Sequence, residues 1–394
     1  MNSHSARYSR RAALSLLTTS ALVAFVAACG DSNEGGASSG LPDTINIVSI
    51  NPMTGVFAYV GNSANNGYKL AIKEINEQKF LGDTKIELKF ADTKSTSQTA
   101  AQELAKAIAD RSISVVFGSV SSQDAVAMSP VAQKEGMPIV YTQAGSDGVI
   151  VGDYTYRATP LMREYYPNLN KYLKEQGWKT LGIIYNEAFP SLQDVGRNTL
   201  PEVARAAGIE VVASIGVPST TQDFSAPISQ ILKARPDGVS ILVSGAPLVT
   251  AMTQLRQAGY TGPVIGNPGA GGGTLKPAGK DGAGMVWPTD FHPDQSAASS
   301  QAFVKAYEAE YGEPPLNYAA EAYDAAWFVA KAIKKAQSAD RKAIKDAMAE
   351  IAKEQFDGAL GTGLRWQERE IRVPGVVVRW NGEREELLYE GAGQ

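Results

Sequence analysis

Residues 85–119, KIELKFADTKSTSQTAAQELAKAIADRSISVVFGS, decide the fold class. Apolar and polar residues alternate over residues 85–90, which is typical of a half-buried strand, whereas residues 113–117 are a short apolar run. The intervening residues 99–111 have the pattern of a helix. A strand, a helix and a second strand in succession make a βαβ unit, in which the two strands are parallel. The stretch therefore predicts an α/β fold.

The same alternation extends in both directions along the chain. Upstream, residues 45–50 predict a strand, and a helix follows whose apolar stripe consists of Tyr68, Ala71, Ile72 and Ile75. Downstream, further strands are predicted at residues 138–142, 181–186, 209–215, 238–244 and 263–266. Long helices are predicted only late in the chain, at residues 299–312, 318–336 and 341–353.

Two parts of this series resemble each other. A strand opens at Ile86, a TKSTSQ loop and a helix follow, and the next strand ends at Gly118. A second strand opens at Ile209, a PSTTQD loop and a helix follow, and the next strand ends at Gly245. The similarity predicts two lobes of one topology, each a doubly wound parallel sheet, with a chance match of generic βαβ units as the alternative. The late helices must then return to cover a lobe that is already built.

Composition narrows the function. The 394 residues are 44% hydrophobic and 20% charged, as in globular proteins, and 37 basic against 41 acidic residues give a net charge of −4. This balance argues against a nucleic-acid surface, which requires clustered cations. One Cys and two His leave no disulfide framework and no Cys/His zinc cluster, so we expect neither a metal nor a cofactor.

The amino terminus has the pattern of an export signal. Three arginines precede an apolar stretch at residues 12–28, which is too short and too rich in Ser and Thr for a membrane span. The run of residues 26–29, VAAC, resembles a bacterial lipobox, which predicts a signal peptide at 1–28 and lipidation of Cys29, with an ordinary secreted protein as the alternative. A twin-arginine route and general secretion both remain open. Residues 29–43 are predicted to form a flexible tether.

The residues that follow the predicted strands are candidates for ligand binding, because ligands of open α/β sheets bind beyond the carboxyl ends of strands. Ser121 and Ser122 come after one strand and just before a helix, where hydroxyls and free N–H groups favour an anion such as a carboxylate; simple N-capping is the alternative. Phe57 and Tyr59 follow the first strand in a loop. Amide, backbone and hydroxyl contacts are expected after residues 138–142, from Gln143, Ala144, Gly145 and Ser146.

Enzyme motifs are incomplete. Residues 269–274, GAGGGT, lack the third glycine and the following helix of a dinucleotide site. His292 is predicted to lie on the surface, which leaves a catalytic triad without a convincing base. Glu321 and Asp324 are one helical turn apart, where a solvated face or a hinge contact is favoured over acid/base chemistry.

Several segments together resemble one known family. They are PMTGVFAYVG, NNGYKLAIKEIN, GSVSSQDAVAMSPVAQKEGMPIV, TTQDFSAPISQILKARPDGV, LRQAGYTGPVIG and PLNYAAEAYDAAW. From Ile45 onward the chain is similar to type I periplasmic solute-binding proteins of the Leu/Ile/Val-binding group, the receptors of ABC importers. The resemblance implies two lobes joined by three crossovers, with the ligand in the cleft between them. The implied lobes are residues 44–160 with 288–362 and residues 161–287 with 363–394.

The resemblance also implies roles for individual residues. Ser122, with Ser121 beside it, matches the carboxylate-binding position; Gln143, Ala144 and Gly145 match backbone and hydroxyl contacts; and Phe189 and Tyr318 match aromatic walls of the second and first lobes.

Two departures bear on the ligand. Gly145 replaces a usual hydroxyl, with Ser146 one position late, and no acid for an ammonium group lies around Asn267 unless Asp290 or Glu321 supplies it.

These observations predict a monomeric, non-enzymatic, lipid-anchored protein in the periplasm or at the cell surface, which delivers a small carboxylate-bearing solute to ABC permease subunits. A branched-chain or related amino acid, or an amino-acid-like acid or amide, is the expected ligand. The alternatives are a sensor or chemoreceptor component and, from another class, an α/β hydrolase or dehydrogenase.

Overall fold

The structure is a computed structural model that describes residues 40–391, in which fifteen strands and twelve α-helices are found. The predicted signal peptide, Cys29 and most of the predicted tether lie outside the described residues. Within residues 40–391, no helix has the length and apolar character needed to cross a bilayer.

The strands and helices alternate as the sequence predicts, and their ends differ from the predicted ends by a few residues. The strands are β1 (Thr44–Asn51), β2 (Lys85–Asp92), β3 (Ile113–Phe117), β4 (Ile139–Tyr141), β5 (Thr155–Arg157), β6 (Thr180–Asn186), β7 (Glu210–Val217), β8 (Gly238–Leu242), β9 (Val264–Ile265), β10 (Met285–Thr289), β11 (Phe356–Gly358), β12 (Gly361–Gln367), β13 (Glu370–Arg372), β14 (Val376–Trp380) and β15 (Glu385–Glu390). The helices are α1 (Ala58–Glu77), α2 (Ser97–Ala109), α3 (Ser122–Glu135), α4 (Met162–Tyr165), α5 (Asn170–Gln176), α6 (Pro190–Asp194), α7 (Leu200–Ala206), α8 (Ser225–Lys233), α9 (Ala246–Gln257), α10 (Ala298–Tyr311), α11 (Asn317–Ala336) and α12 (Arg341–Ile351).

Two sheets of matching topology form the framework. The first sheet has the order β2-β1-β3-β4-β5-β13-β12-β11, and the second has the order β7-β6-β8-β9-β10-β14-β15. In each sheet the first five strands of this order are parallel and are connected in the same sequence. The predicted pair of doubly wound parallel lobes is therefore confirmed. We call the first sheet with α1–α3 and α10–α12 the first lobe, and the second sheet with α4–α9 the second lobe.

The chain passes between the sheets three times, after β5, after β10 and after β13. The first passage lies between Arg157, the last residue of β5, and Met162, the first residue of α4. The third passage comes later than the predicted boundary between residues 362 and 363, because β12 and β13 pair within the first sheet, where Glu370 is in register with Arg157. The second sheet also keeps β10 through Thr289, beyond the predicted boundary at residue 287.

Both faces of each sheet are buried, which explains the uniformly apolar strands. In β3, Val115 and Phe117 face one core while Ile113 and Val116 face the other. All five residues of β3 and all five of β8 are buried, as expected for central strands of a parallel sheet covered by helices on both sides.

Helix α11 carries functional candidates to the edge of the first sheet because it packs closely against α1. Gly67 of α1 lies so near α11 that a Cβ atom there would come within 2.1 Å of the carbonyl oxygen of Ala319. The ring of Tyr68 stacks on Phe117 of β3 with a centroid distance of 4.1 Å. This packing places the first turns of α11, with Tyr318 and Glu321, beside the strand ends.

A pair of carboxyl groups is buried where α11 meets the second connection between the lobes. Asp290, in the second connection, and Glu321, on α11, are both 0% exposed. Burial, and then the neighbouring charge of Asp290, raises the pKa of Glu321 well above its ordinary value. Burial beside a second carboxyl group disfavours the ionised form of Glu321, so Glu321 holds its proton to higher pH than an exposed glutamate does. Thr159, in the first connection, also lies beside Glu321 and bonds the Tyr165 hydroxyl at 2.8 Å.

The retained proton predicts a pH-dependent stability. The unfolded chain releases the Glu321 proton near the ordinary pKa of about 4.5, whereas the native protein holds it to higher pH, so stability is lost as pH rises above that value. We expect Asp290→Asn to reduce this loss, because it removes the neighbouring charge and the new amide can donate to Glu321, whereas the larger effect of burial remains. Thermal unfolding at a series of pH values measures the effect.

The matched control is Asp43→Asn, since Asp43 is exposed and far along the chain from the pair. It should follow the wild-type pH profile. If Asp290→Asn also follows that profile, Asp290 does not contribute to the raised pKa of Glu321.

Candidate functional site

Three segments that sequence analysis singled out lie at one edge of the first sheet. They follow β1, β3 and β4, which are neighbours in the sheet and parallel, so their carboxyl ends lie side by side. The structure therefore brings together Phe57 and the start of α1, the start of α3, and the turn of residues 143–147, which we call the edge turn. Tyr59 was predicted to lie in a loop but is the second residue of α1, with Phe57 as the N-cap. This edge includes the point where the strand order reverses between β1 and β3, the usual position of ligands in such sheets.

At the start of α3, the two candidate serines differ in their hydrogen bonds. Ser121 is the N-cap, and its hydroxyl accepts a hydrogen bond from the backbone N–H of Asp124 at 3.4 Å. Ser122 is the first helical residue, is half-buried, and makes no side-chain hydrogen bond within residues 40–391. Ser121 thus fits the capping alternative, whereas Ser122 offers a free hydroxyl.

The surroundings of Ser122 favour an anion. The first N–H groups of a helix have no intrahelical acceptor, and the helix dipole adds partial positive charge at this end. The carboxylate of Asp124, in the first turn, accepts hydrogen bonds from Ser97 at 2.8 Å and Ser119 at 2.7 Å. Both oxygens of Asp124 are therefore engaged by hydroxyl donors of the protein, and the Ser122 hydroxyl remains available to an external carboxylate.

The edge turn is held mainly by buried groups. The N–H of Gln143 donates to Glu321 at 2.7 Å and its side-chain amide donates to the same carboxyl group, so Gln143 points towards α11. Ala144 and Gly145 are buried, and the carbonyl of Gly145 accepts from the N–H of Met162 at 3.0 Å. The hydroxyl of Ser146 is buried without a hydrogen-bond partner among the described residues. Ser146 is thus the member of this turn whose side chain remains available.

Two tyrosines form an aromatic wall beside the edge. The rings of Tyr59 and Tyr318 meet edge to face, with a centroid distance of 5.9 Å and an angle of 72°. Tyr318 is 3% exposed, whereas Tyr59 is 44% exposed, so Tyr59 presents the accessible surface of the pair. Burial raises the pKa of Tyr318 well above its ordinary value, which keeps the hydroxyl protonated. Phe57 is half-buried in the preceding loop, and its N–H donates to the Ser95 hydroxyl at 3.2 Å.

The second lobe has a corresponding edge, formed by the ends of β6, β8 and β9. Phe189 follows β6 as the N-cap residue of α6 and is half-buried. Asn267 follows β9, and its amide donates to the Val243 carbonyl at 2.9 Å and accepts from the Gly269 N–H at 2.9 Å. The Asn267 side chain is therefore occupied within the second lobe, and we do not carry it into the proposed site. Asp290 lies in the buried carboxyl pair, although one of its oxygens has no partner in the described residues.

A cavity of about 870 Å³ lies between the lobes beside Tyr59. Loop residues 271–273 of the second lobe and residues 313–317 of the first lobe line opposite sides. Glu385 of β15 also lines it, accepts from the N–H of Gly273 at 3.5 Å, and has its pKa raised by burial. Sequence analysis missed Glu385, because β15 lies more than 100 residues beyond the loop it contacts.

His292 also borders this cavity, and its prediction as a surface residue is wrong. It is only 4% exposed, because it lies in the second connection between the lobes, and burial lowers its pKa. Among the described residues no group of three His, Cys, Asp or Glu side chains could hold a metal ion.

Comparisons with known proteins agree with this architecture. The chain is 28% identical over 375 residues to Leu/Ile/Val-binding protein homolog 7 of Brucella abortus (strain 2308), a match that covers 88% of this chain and 92% of the relative. A leucine-binding protein from Thermotoga maritima has a TM-score of 0.78 and 25% identity, covering 88% of this chain and 98% of that one.

Two further solved structures share the fold. They are a Streptococcus pneumoniae branched-chain amino acid binding protein in complex with isoleucine, with a TM-score of 0.78 and 24% identity, and an R. palustris solute-binding protein in complex with benzoate, with a TM-score of 0.77 and 21% identity. They cover 88% and 89% of this chain and 99% and 98% of their own.

The model of one family, described as periplasmic binding protein, matches residues 44–385 and so spans both lobes and all three connections. With two sheets of one topology and candidate binding residues at the strand ends of each, the chain belongs to the periplasmic binding protein family, which consists of solute-binding proteins and not of enzymes.

Proposed function

We propose that this protein is the extracytoplasmic receptor of an ABC importer and that it binds a small carboxylate-bearing solute between its two lobes. The observation that carries the proposal is the start of α3, where the Ser122 side chain has no hydrogen-bond partner within residues 40–391, whereas the Asp124 carboxylate is already engaged by Ser97 and Ser119. In a family of solute-binding proteins, such a position at the strand-order reversal is suited to the ligand's carboxylate.

The proposed site draws on both lobes. Ser122 and the Ser146 hydroxyl receive the carboxylate, and Tyr59 and Tyr318 form the wall of the first lobe. Phe189 supplies an aromatic surface from the second lobe. The chemistry is that of binding: hydroxyl and backbone donors fix the charged end, and aromatic rings shield the apolar part of the solute.

Branched-chain amino acids are the first compounds to consider, because the Brucella relatives are named Leu/Ile/Val-binding proteins and the Thermotoga maritima structure is of a leucine-binding protein. An amino acid also brings an ammonium group, which needs a carboxylate when it is buried. The carboxyl group of Glu321 already accepts from Gln143 and faces Asp290. Whether the ammonium is needed is decided by comparing leucine with 4-methylpentanoate, the same skeleton without the amino group.

The first test of the proposal is a pair of serine variants. A hydrogen bond to a charged group contributes about 1.5–3 kcal/mol, so Ser122→Ala should weaken binding of the carboxylate ligand by about ten- to a hundred-fold. Ser121→Ala should instead lower the unfolding free energy by about 1 kcal/mol through loss of the cap, with a smaller effect on affinity. Calorimetric titration with leucine, 4-methylpentanoate and benzoate, with thermal unfolding in parallel, measures both. Equal affinity of Ser122→Ala and wild type would reduce Ser122 to a structural residue.

The second test concerns closure of the lobes. A solute that contacts Ser122 in one lobe and Phe189 in the other stabilises the arrangement in which the two edges are close together. Small-angle scattering with saturating ligand should give a smaller radius of gyration than without ligand. An unchanged profile, in a sample where titration demonstrates binding, would indicate a rigid pocket.

The third test concerns the membrane. We propose that Cys29 is lipidated and becomes the first residue of the mature chain when residues 1–28 are removed, which would keep a monomeric receptor next to the permease subunits that it serves. Cys29→Ala should release the protein from the membrane fraction, as followed by immunoblot, and Ser32→Ala in the same segment should leave it attached. Retention of Cys29→Ala at the wild-type level contradicts lipid anchoring.

A further inference from the structure

One buried arginine contacts the edge turn from the protein interior. The Nη1 atom of Arg157, the last residue of β5, donates to the carbonyl of Ala144 at 2.7 Å and to the carbonyl of Ser146 at 2.6 Å. The side chain is 1% exposed, so these contacts lie in the protein interior. A single guanidinium nitrogen thus bonds two carbonyls of the edge turn. One of them belongs to Ser146, whose hydroxyl has no partner among the described residues.

A carboxylate from a distant part of the chain holds this arginine in place. Glu370 of β13 forms a buried ion pair with Nη2 of Arg157. The backbones are also joined, because the Arg157 N–H donates to the Arg369 carbonyl at 2.9 Å and Glu370 is in parallel register with Arg157. The orientation of the Arg157 guanidinium is therefore set at both terminal nitrogens: Glu370 binds Nη2, and the carbonyls of the edge turn bind Nη1.

The edge turn needs such support because its backbone is not regular. Gln143 has a φ of 54°, a left-handed conformation that non-glycine residues seldom adopt. Gly145 is tightly enclosed, and a Cβ there would come within 3.3 Å of the Met162 nitrogen. Glu321 holds the Gln143 N–H at the start of the turn, and Arg163 holds Asp147 at its end, at 2.6 Å. Between these two anchors, Arg157 is the side chain that fixes the carbonyls of the residues in between.

We propose that Arg157, oriented by Glu370, is a positioning residue for ligand binding: it sets the peptide planes of the edge turn so that the Ser146 hydroxyl and neighbouring backbone face the solute. The inference rests on the proposed function. Arg157 itself does not touch the solute in this arrangement, since Nη1 and Nη2 bond within the protein and Nε is buried, without a partner among the described residues.

The test compares Arg157→Lys with a matched control. Lysine keeps the charge but has no planar fork, so it cannot hold two carbonyls and Glu370 together. The control, Ile371→Val, removes one methyl group from a fully buried neighbour of Glu370 and destabilises the same edge of the sheet without reaching the turn.

Two measurements are made on the full chain. Hydrogen exchange, followed by mass spectrometry without ligand, should be at least fivefold faster for residues 143–147 in Arg157→Lys, and unchanged for residues 266–271 of the second lobe. Affinity for leucine, or for benzoate if leucine does not bind, should fall at least tenfold. Ile371→Val should lower the melting temperature and leave both readouts at their wild-type values.

Each outcome decides the proposal. If Arg157→Lys exchanges like wild type in the edge turn, or loses no more affinity than Ile371→Val, Arg157 is only a structural residue. If Arg157→Lys does not fold, Glu370→Gln takes its place, since it keeps the shape of the side chain and removes the charge that pairs with Arg157 and, at 3.3 Å, with Arg372. The same localised exchange and a loss of affinity of at least threefold are expected.

Failure of the proposed function gives a different result. If neither leucine nor benzoate binds the wild-type protein, the proposal that the protein is a receptor for these carboxylates is wrong. The exchange experiment, which uses no ligand, still shows whether Arg157 orders the turn.

Discussion

Parallel strand pairing is the constraint on which the rest of this structure depends. Strands β1, β2 and β3 can be parallel only if α1 and α2 carry the chain back across the sheet, and β6, β7 and β8 repeat the arrangement in the second lobe. Helices then cover both faces of the sheet, so the strands are apolar on both sides. The carboxyl ends of neighbouring strands also meet at one edge, which leaves that edge as the place where polar loops and helix starts converge.

The edge turn of the first lobe is hydrogen-bonded to residues that lie in, or contact, the connections between the lobes. Gln143 of the edge turn bonds Glu321, which faces Asp290 in the second connection, and Gly145 bonds Met162 immediately after the first connection. A solute bound at the edge turn, as proposed, would therefore contact a segment that is hydrogen-bonded to Glu321 and Met162, beside the connections between the lobes. This arrangement gives binding a direct physical route to the relative position of the lobes.

Buried charges are concentrated in this region, where they cost stability. Arg157 is compensated by Glu370 and two carbonyls. Glu321, whose pKa is raised by burial and by the neighbouring Asp290, accepts from the backbone and side-chain amides of Gln143. Replacing such groups by apolar residues is often neutral or stabilising for a fold. Their presence at the edge turn and the connections is consistent with a role in orientation rather than in stability.

The serines show how far sequence reasoning extends into the site. The position of Ser121 and Ser122 before a helix is a local pattern, and the structure has the helix there. Which of the two is the cap and which has a free hydroxyl depends on the φ and ψ angles of the helix start, and the sequence left both readings open. Asn267 is a similar case, because its place after β9 follows from the pattern while its internal hydrogen bonds with Val243 and Gly269 do not.

The sequence by itself determined the α/β class, the two lobes of one topology and the loops that lie at the strand ends, because each of these follows from the periodicity of nearby residues. Tertiary structure alone decided where the third connection runs, that His292 is buried, and which side chains support the site. The contact between Gln143 and Glu321 joins residues 178 positions apart, and that between Arg157 and Glu370 joins residues 213 apart. Such pairs are set by how the late strands and helices return to the first sheet, and no local pattern in the chain specifies them.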